Sequence, residues 1–252
     1  MHKWERYCIL REDHRIHAYL PETRLLTEET LWQMLSKTDA VILKPAAGSG
    51  GAGIILVFSA GDDRFIIQEK LTKQSVNRDD LFSCLTQTIL KEFASFVDSS
   101  EVNKILSESY LIQHRIAIAE IEQRPFDIRV MVQRKNGSPW KVTGKLAKLA
   151  ADGYAITNVN LGATILPVET AIQRSSLHTL SQDALLSELD QVALLAVERL
   201  QQHYPNIGVI GFDMCFDMQG KLWIIEANFR PDDYIFLELE DKTMYQTIQA
   251  YR

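Results

Sequence analysis

The chain has 252 residues, of which 46% are hydrophobic and 24% are charged. These proportions are typical of a globular protein with a full core, and the length is sufficient for one domain or two tightly joined domains. The formal net charge of −6 argues against a general nucleic-acid-binding protein, which normally carries a basic surplus or stripe. No apolar run approaches the length of a membrane span, so the sequence also argues against a membrane protein.

The cysteines and the amino terminus indicate a cytoplasmic protein. Cys8, Cys84 and Cys215 are scattered and odd in number, without the spacing of metal ligands. They are typical of reduced, mostly buried thiols. Residues 1–6 lack the apolar segment that follows the charges of a signal peptide. We therefore expect the protein to be cytoplasmic.

The first 38 residues are predicted to form a polar, aromatic lead-in. An extended turn at residues 19–23 precedes Thr27. Thr27 can cap a helix, because its hydroxyl can accept a hydrogen bond from a backbone N–H of the first turn. We expect that helix to end at about Lys37.

A glycine-rich loop follows the first predicted strand. Ala40 to Leu43 predict a short buried strand that ends at Lys44, residues 46–53 form a loop of small residues, and Ile54 to Phe58 predict the next strand. This order is a hairpin and differs from the strand–loop–helix order of a P-loop or Rossmann site. A lysine there can meet a phosphate, while glycines let the loop backbone approach it closely. The alternative is a flexible hairpin with an exposed lysine.

The middle of the chain predicts further strands and helices, and we assign no chemistry to the helical pair among them. Apolar residues at four-residue spacing indicate a pair of packing helices, and a longer helix follows later in the chain. The predicted elements, in order, are a strand at 64–69, the helical pair between 77 and about 110, a strand or linker at 110–112, two long strands at 126–133 and 140–149, and the clearest helix at 182–202.

Polar side chains in the last predicted hairpin can bind a metal ion. Leu222 to Ile225 predict a buried strand, and Glu226 and Asn228 follow at alternate positions, so their side chains point to the same face. The preceding strand carries Asp213, and a hairpin brings this residue beside Glu226. Carboxylate and amide oxygens suit Mg²⁺. The alternative is two polar residues on an edge strand and a capping aspartate.

Charged residues also lie on the two long strands. Asp127 and Arg129 alternate on the first, and Lys145 and Lys148 lie on the second. Cations among strand residues that should be apolar indicate an anionic partner. Such a cluster can stabilise a phosphoryl group during transfer. The alternative is a solvated sheet face with cross-strand pairs.

The order of these motifs along the chain is itself informative. From the amino terminus they are Lys44-Pro45, the glycine loop, Gln113, the strand that begins with Asp127, Lys148, the loop of residues 157–162, Asp213 and Glu226-Ala227-Asn228. This set resembles the ATP-grasp superfamily, and within it the endospore coat-associated YheC/YheD-like proteins. The ribosomal-protein glutamate ligase is a relative with the same pattern of motifs towards the end of the chain. The resemblance covers roughly Pro21 to Ile235.

The resemblance implies an α+β fold, the ATP-grasp fold, in which two lobes with antiparallel sheets clasp the nucleotide between them. Residues 1–38 would be the lead-in, 39–112 the amino-terminal lobe with a helical insert, and 113–252 the carboxy-terminal lobe with the metal site. ATP and Mg²⁺ would be the cofactors.

The resemblance also implies roles for the matched residues. Lys44 would contact the α- and β-phosphates, the glycine loop would cover the triphosphate, and an interlobe hinge would recognise the adenine by backbone contacts. The residues so implied in ATP binding are Lys44, Gly48, Ser49, Gly50, Gly51, Gly53, Gln68, the hinge residues Gln113, His114, Arg115 and Ile116, and Asp127. Arg129 would stabilise the transferring phosphoryl group, and Lys148 and Asn158 would hold the phosphate or acyl-phosphate end. Asp213, Glu226 and Asn228 would bind Mg²⁺.

Two positions depart from the family pattern. Many relatives have a second lysine at the end of the strand before the helical insert, where this chain has Gln68, with Lys70 two residues on. Gly162-Ala163 stands where relatives often have paired glycines. Only about forty residues precede Lys44, so we expect substrate recognition to depend on the two lobes, on the polar lead-in or on a partner.

The reaction implied by the resemblance is amide formation by a carboxylate–amine ligase. In the superfamily a carboxylate attacks the γ-phosphate of ATP, and an amine then attacks the acyl-phosphate to give an amide, ADP and phosphate. We expect an amino acid or a peptide as substrate, and the sequence leaves open a partner protein or a homo-oligomer. Two alternatives are an ATP-dependent kinase on the same fold and a non-catalytic ATP-binding or spore-coat structural protein.

Overall fold

A computed structural model describes residues 3–48, 51–90, 99–135, 137–154, 157 and 161–252. The chain divides into two compact units. The first unit comprises Met1–Trp4 and Glu22–Arg115, and the second comprises Glu5–Pro21 and Ile116–Arg252. Among the described residues, no helix is both long and apolar enough to cross a membrane.

Both units contain helices and strands. The helices are α1 (Lys3–Arg11), α2 (His14–His17), α3 (Glu28–Leu35), α4 (Arg78–Leu90), α5 (Ser99–Ser109), α6 (Val168–Arg174), α7 (Gln182–His203) and α8 (Thr243–Ala250), with a 3₁₀ helix at Tyr234–Glu238. The strands are β1 (Thr23–Leu25), β2 (Ala40–Pro45), β3 (Ile55–Ser59), β4 (Arg64–Glu69), β5 (Thr72–Asn77), β6 (Tyr110–His114), β7 (Glu120–Ile121), β8 (Arg124–Gln133), β9 (Lys141–Leu149), β10 (Thr164–Leu166), β11 (Val209–Phe216) and β12 (Leu222–Asn228).

The first unit is built on an antiparallel sheet in the order β1-β6-β2-β3-β4-β5. Buried side chains of the sheet, such as Val41 and Val57, form one core with Leu31 of α3 and Leu81 of α4. The predicted cap of α3 is confirmed, because the Thr27 side chain accepts a hydrogen bond from a backbone N–H of the first turn. This packing leaves β2 and β6 as neighbouring central strands, and they carry Lys44 and Gln113.

The second unit also has a six-stranded antiparallel sheet, in the order β10-β9-β8-β11-β12, with β7 paired to β8. Val130 and Val132 pack with α7 in the main core, whereas Met131 packs with Phe236 and Ile248 in a separate cluster. Because strand residues alternate between faces, α7 covers one face and the 3₁₀ helix with α8 covers part of the other. The polar residues of the candidate site lie on this second face.

A β-bulge in the β11–β12 hairpin orients the end of β12. Asp213 pairs with Glu226, but Met214 pairs with Ile224, so Ile225 is an extra residue. Ile224 is buried in the α7 core, whereas Glu226 lies opposite Asp213 and shares its face. The predicted pairing of Asp213 with Glu226 is confirmed.

The amino-terminal lead-in is folded and not extended. Ile9, Leu10 and Ile16 from α1 and α2 are buried in the core of the second unit. Arg199 Nε of α7 donates a hydrogen bond of 3.0 Å to the Ile9 carbonyl. Residues 5–21 therefore belong to the same unit as β12, while the rest of the predicted lead-in, from Glu22, belongs to the first unit.

Candidate functional site

Asp213, whose side chain is 13% exposed, lies at the centre of a largely buried polar cluster in the second unit. Its Oδ1 accepts hydrogen bonds of 2.9 Å from both Arg129 Nε and Lys148 Nζ. Its Oδ2 accepts from Arg129 Nη2 at 3.2 Å and from Asn228 Nδ2 at 3.0 Å. The antiparallel register explains the cluster, since Asp213 pairs directly with Arg129 on β8, and Lys148 lies on β9, the next strand beyond β8, where it pairs with Asp127.

The charges in this cluster stabilise one another despite their burial. Burial raises the pKa of Asp213, but Arg129 and Lys148 lower it by more, so its carboxyl titrates below the usual range. Burial lowers the pKa values of Arg129 and Lys148, but Asp213 and Asp127 outweigh it and raise both. All three side chains of the Asp213 ion pairs are therefore charged at neutral pH.

Asp127 forms a second carboxylate beside Lys148. Lys148 Nζ lies 3.0 Å from Asp127 Oδ1, and the Thr157 hydroxyl donates a hydrogen bond to Asp127 Oδ2. Burial is the largest influence on this group and raises the pKa of Asp127 to about 6, although Lys148 opposes the shift. The two aspartates share one lysine but differ in their affinity for protons.

Glu226 adds a third carboxylate to this face of the sheet. It is half-buried, and the Ile225 bulge places it opposite Asp213. Its charge helps to raise the pKa of Arg129, so it lies within electrostatic reach of the cluster. Arg6 of α1 also interacts electrostatically with Glu226.

The oxygen atoms of this cluster fit a magnesium ion as a mixed set of carboxylates and an amide. Asp213 and Glu226 supply carboxylates and Asn228 an amide oxygen, which are the hard ligands that Mg²⁺ takes. In the part of the chain that the structure describes, no group of three or more His, Cys, Asp or Glu side chains could hold a metal. Water or phosphate oxygens would therefore complete the coordination. Asp213 already accepts four hydrogen bonds, so a bound cation would displace at least one of them.

In the first unit, Lys44 is held by a buried chain of hydrogen bonds. Its Nζ donates to Gln113 Oε1 at 3.0 Å, and Gln113 Nε2 donates to Thr23 Oγ1 at 2.7 Å. Gln113 pairs with Ile42 of β2 and with Thr23 of β1. Lys44 is two residues beyond Ile42, so it shares the face of Gln113. The Gln113 side chain thus orients the ammonium group, a role that the sequence did not indicate.

The glycine loop adopts the backbone conformations that the sequence predicted. Gly48, Gly51 and Gly53 have positive φ values of 91°, 68° and 73°. A Cβ atom at Gly53 would lie 2.7 Å from the Tyr110 hydroxyl oxygen, and that hydroxyl donates to the Gly53 carbonyl at 3.0 Å. Ser49 and Gly50 lie outside the described residues.

The other candidate nucleotide-binding residues have local partners in the first unit. Gln68 is buried, and its amide donates to the Lys70 carbonyl at 2.9 Å, which closes the β4–β5 turn. His114 ends β6, and its backbone N–H donates to the Glu22 carbonyl. The Arg115 guanidinium lies 5.0 Å from the centroid of the Phe58 ring.

Two candidate residues remain, Ile116 and Asn158. Ile116 is the first residue of the segment with which the second unit resumes, directly after Arg115. Asn158 lies outside the described residues.

One expectation about the cations was wrong. Lys145 does not join Arg129 and Lys148, because its Nζ pairs with Asp190 of α7 at 2.7 Å. In the strand register Lys145 lies opposite Val130, whose side chain is buried in the α7 core. Lys145 therefore points to the face of the sheet opposite to Arg129 and Lys148. Thr157, which belongs to the motif of residues 157–162 but was given no role of its own, binds Asp127. Arg6, which the sequence did not indicate, binds the Ala227 carbonyl of β12.

Comparisons with known proteins agree with this architecture. The sequence matches the family described as YheC/D like ATP-grasp over residues 1–251. The endospore coat-associated protein YheC of Bacillus subtilis (strain 168) is 27% identical over 231 residues, which are 91% of this chain and 59% of that protein. The endospore coat-associated protein YheD of the same strain is 27% identical over 236 residues, which are 93% of this chain and 49% of that protein. The chain thus spans only part of the length of both relatives.

A solved structure shares the fold. Biotin carboxylase from Campylobacter jejuni, in its β-γ-ATP complex, superposes with a TM-score of 0.56. The match covers 98% of this chain and 45% of that one, at 15% identity. The predicted α+β fold with antiparallel sheets is therefore confirmed.

Proposed function

This chain belongs to the YheC/D-like ATP-grasp family, and we propose that it is a Mg²⁺- and ATP-dependent carboxylate–amine ligase that acts on an amino acid or a peptide. The observation that carries the proposal is the buried cluster in which Arg129, Lys148 and Asn228 converge on Asp213. Burying this many charges is costly unless they are paired or used, because each ion loses its hydration. A site that transfers a phosphoryl group uses such an arrangement, since catalysis there consists largely of positioning and charge stabilisation.

The first unit is proposed to hold the nucleotide. Lys44, oriented by Gln113, would contact the α- and β-phosphates as a charged donor. The backbone N–H groups of the loop from Gly48 to Gly53 would contact phosphate oxygens, because a glycine backbone can approach them closely. The segment from Gln113 to Ile116 would bind the adenine through its backbone.

The second unit is proposed to carry the chemistry. Asp213, Glu226 and Asn228 would hold Mg²⁺, which when bound neutralises the charge of the phosphates. Arg129 uses its Nε and Nη2 on Asp213, and its other guanidinium N–H groups are suited to an oxygen of the transferring phosphoryl group. Lys148, with Asn158, would hold the phosphate end of the acyl-phosphate.

The proposed reaction has two steps. A substrate carboxylate oxygen attacks the γ-phosphorus of ATP, the bond to the bridging oxygen breaks, and ADP leaves. The amine nitrogen then attacks the acyl carbon, phosphate leaves with the bonding electrons, and the nitrogen loses a proton. No histidine base is needed for the first step, because the carboxylate is already ionised.

Trapping the acyl-phosphate tests this proposal. The protein is incubated with Mg²⁺, ATP and pools of amino acids or peptides, and hydroxylamine is added to convert an acyl-phosphate into a hydroxamate. We expect ADP release and hydroxamate from the wild type, and loss of both in Glu226→Gln. Asp190→Asn is the matched control, because this variant also loses a carboxylate, but one that pairs with Lys145 on the opposite face of the sheet.

Two outcomes would favour the alternatives. ADP release with a stable phosphate ester and no hydroxamate would identify a kinase on the same fold. ADP release that is absent from the wild type would favour a structural protein, whereas equal release in wild type and Glu226→Gln would contradict the assignment of Glu226 as a metal ligand. Both relatives are named endospore coat-associated proteins, so this second alternative would be a structural protein of the spore coat.

The cytoplasm is the proposed location. The free thiols of Cys8, Cys84 and Cys215 suit a reducing compartment.

A further inference from the structure

The amino-terminal segment covers the open edge of β12, the strand that carries Glu226 and Asn228. β12 is the last strand of its sheet. The backbone N–H of Ile224 donates a hydrogen bond of 2.8 Å to the Tyr19 carbonyl. The Ala227 carbonyl accepts a hydrogen bond of 2.6 Å from Arg6 Nη1. An edge strand otherwise presents such groups to solvent, so residues 5–21 restrain the strand on that side.

The Arg6 side chain is held in one geometry by its surroundings. Its guanidinium carbon lies 4.1 Å from the centroid of the Phe229 ring, within cation–π range. The helix that carries it is fastened to α7, because Arg199 donates to the Ile9 carbonyl at 3.0 Å and pairs with Glu12 at 2.5 Å. Arg6 therefore extends to β12 from a helix whose position is fixed by its contacts with α7.

Arg6 is also linked electrostatically to a candidate metal ligand. Burial lowers the pKa of Arg6, and Glu226 is the largest of the influences that raise it. The carbonyl that Arg6 binds belongs to Ala227, the residue between Glu226 and Asn228 in the chain. The Ala227 side chain is buried in the α7 core, so the backbone at this point is restrained on two sides.

We propose that Arg6 is a positioning residue of the magnesium site, which fixes the Ala227 carbonyl and thereby the side chains of Glu226 and Asn228. The inference rests on the proposed function, because it assumes that these two residues bind Mg²⁺. Groups that orient metal ligands without touching the metal typically change its affinity by about 10- to 100-fold when they are lost.

A magnesium titration of nucleotide binding tests the role of Arg6. The rise in melting temperature on addition of ATP is measured over a range of Mg²⁺ concentrations for the wild type, Arg6→Met and Arg6→Lys. We expect Arg6→Met to need about tenfold more Mg²⁺ for half of the rise, with the shift in EDTA unchanged. Arg6→Lys should lie between, because lysine keeps the charge but lacks the planar guanidinium group.

Arg11→Met is the matched control. Arg11 lies on the same helix and is exposed, with its guanidinium carbon 5.9 Å from the Tyr7 ring centroid. We expect this variant to titrate like the wild type. Hydrogen exchange gives a second reading: amides from Glu226 to Phe229 should exchange faster in Arg6→Met, while those of β8 stay unchanged.

Two results would overturn the inference in different ways. A wild-type Mg²⁺ midpoint in Arg6→Met, even with a lower melting temperature, would reduce Arg6 to a residue that only stabilises the fold. A wild type whose ATP response does not depend on Mg²⁺ would overturn the magnesium site itself, and the role of Arg6 with it.

Discussion

At the scale of single residues, two aspartates beside one lysine have pKa values that are shifted in opposite directions. Asp213 accepts hydrogen bonds from Arg129, Lys148 and Asn228. Asp127 pairs with Lys148 and accepts a hydrogen bond from the Thr157 hydroxyl. Charge outweighs burial at Asp213, whereas burial outweighs charge at Asp127 and raises its pKa to about 6. Asp213 faces two cations, whereas Asp127 faces one and also lies near the negative charge of Asp213, which raises its pKa further.

The raised pKa of Asp127 predicts a specific pH dependence of stability. Between pH 4.5 and 7 the unfolded chain has lost this proton, whereas the folded protein keeps it up to about pH 6. The contribution of Asp127 to the free energy of unfolding therefore falls as pH rises, by about 2 kcal/mol across this window. Urea unfolding in EDTA should show wild-type stability falling relative to Asp127→Asn across this window. Parallel pH profiles for the two proteins would refute the shift.

Asp213 and Glu226 should differ in their contribution to stability. Asp213→Asn leaves Arg129 and Lys148 buried with less compensation, so we expect the free energy of unfolding to fall by about 3 kcal/mol or more. Glu226→Gln changes a half-buried group and should cost less than about 1 kcal/mol. Urea unfolding of both variants measures the difference. Equal losses would mean that the Asp213 pairs do not support the fold.

At the scale of elements, the absence of a side chain at Gly211 on β11 leaves room for Pro231 to pack closely against the strand near the cluster. A Cβ atom at Gly211 would lie 2.5 Å from Pro231 Cβ and 3.3 Å from Arg129 Cδ. Gly211 pairs with Asn228, so a side chain there would disturb both a candidate ligand and the arginine.

Gly211→Ala should therefore impair stability and activity together. Overpacking of this kind typically costs about 1–3 kcal/mol, and the shift of Arg129 should also lower turnover. Gly208→Ala is the matched control, because the nearest atom to its added Cβ is 3.8 Å away and its backbone does not need a positive φ. Melting temperatures and ADP release are compared for both variants. A Gly211→Ala protein as stable and active as Gly208→Ala would contradict this packing argument.

Elements with a strong local signal could be predicted, and those held by tertiary contacts could not. The helix after Thr27 and the Asp213–Glu226 hairpin follow from a capping residue and an apolar run. Strand β5 has a single buried residue, Val76, so it lacks the alternation that marks a strand. Helix α1 buries only Ile9 and Leu10, and the polar composition of the segment concealed it.

At the scale of the whole molecule, the order of motifs predicted the family and the fold, but not the partners of each site residue. The family match spans residues 1–251, in agreement with the resemblance drawn from the motifs. That Gln113 binds Lys44 and that Arg6 binds the Ala227 carbonyl are long-range contacts. Each depends on strand register or helix docking, which a single sequence does not specify. The exclusion of Lys145 from the cluster likewise needed the register of β8 and β9.

The most direct test of the account is the melting temperature with ATP and Mg²⁺, compared with ATP and EDTA, in the wild type and in Glu226→Gln. A ligand that binds only the folded state raises its stability by mass action, by about 2.7 kcal/mol at a hundred times its Kd. We predict a clear rise in the wild type that depends on Mg²⁺, and a much smaller one in Glu226→Gln. A wild type that does not respond to millimolar ATP and Mg²⁺, or a variant that responds equally, would contradict the assignment of this face as the Mg²⁺–ATP site.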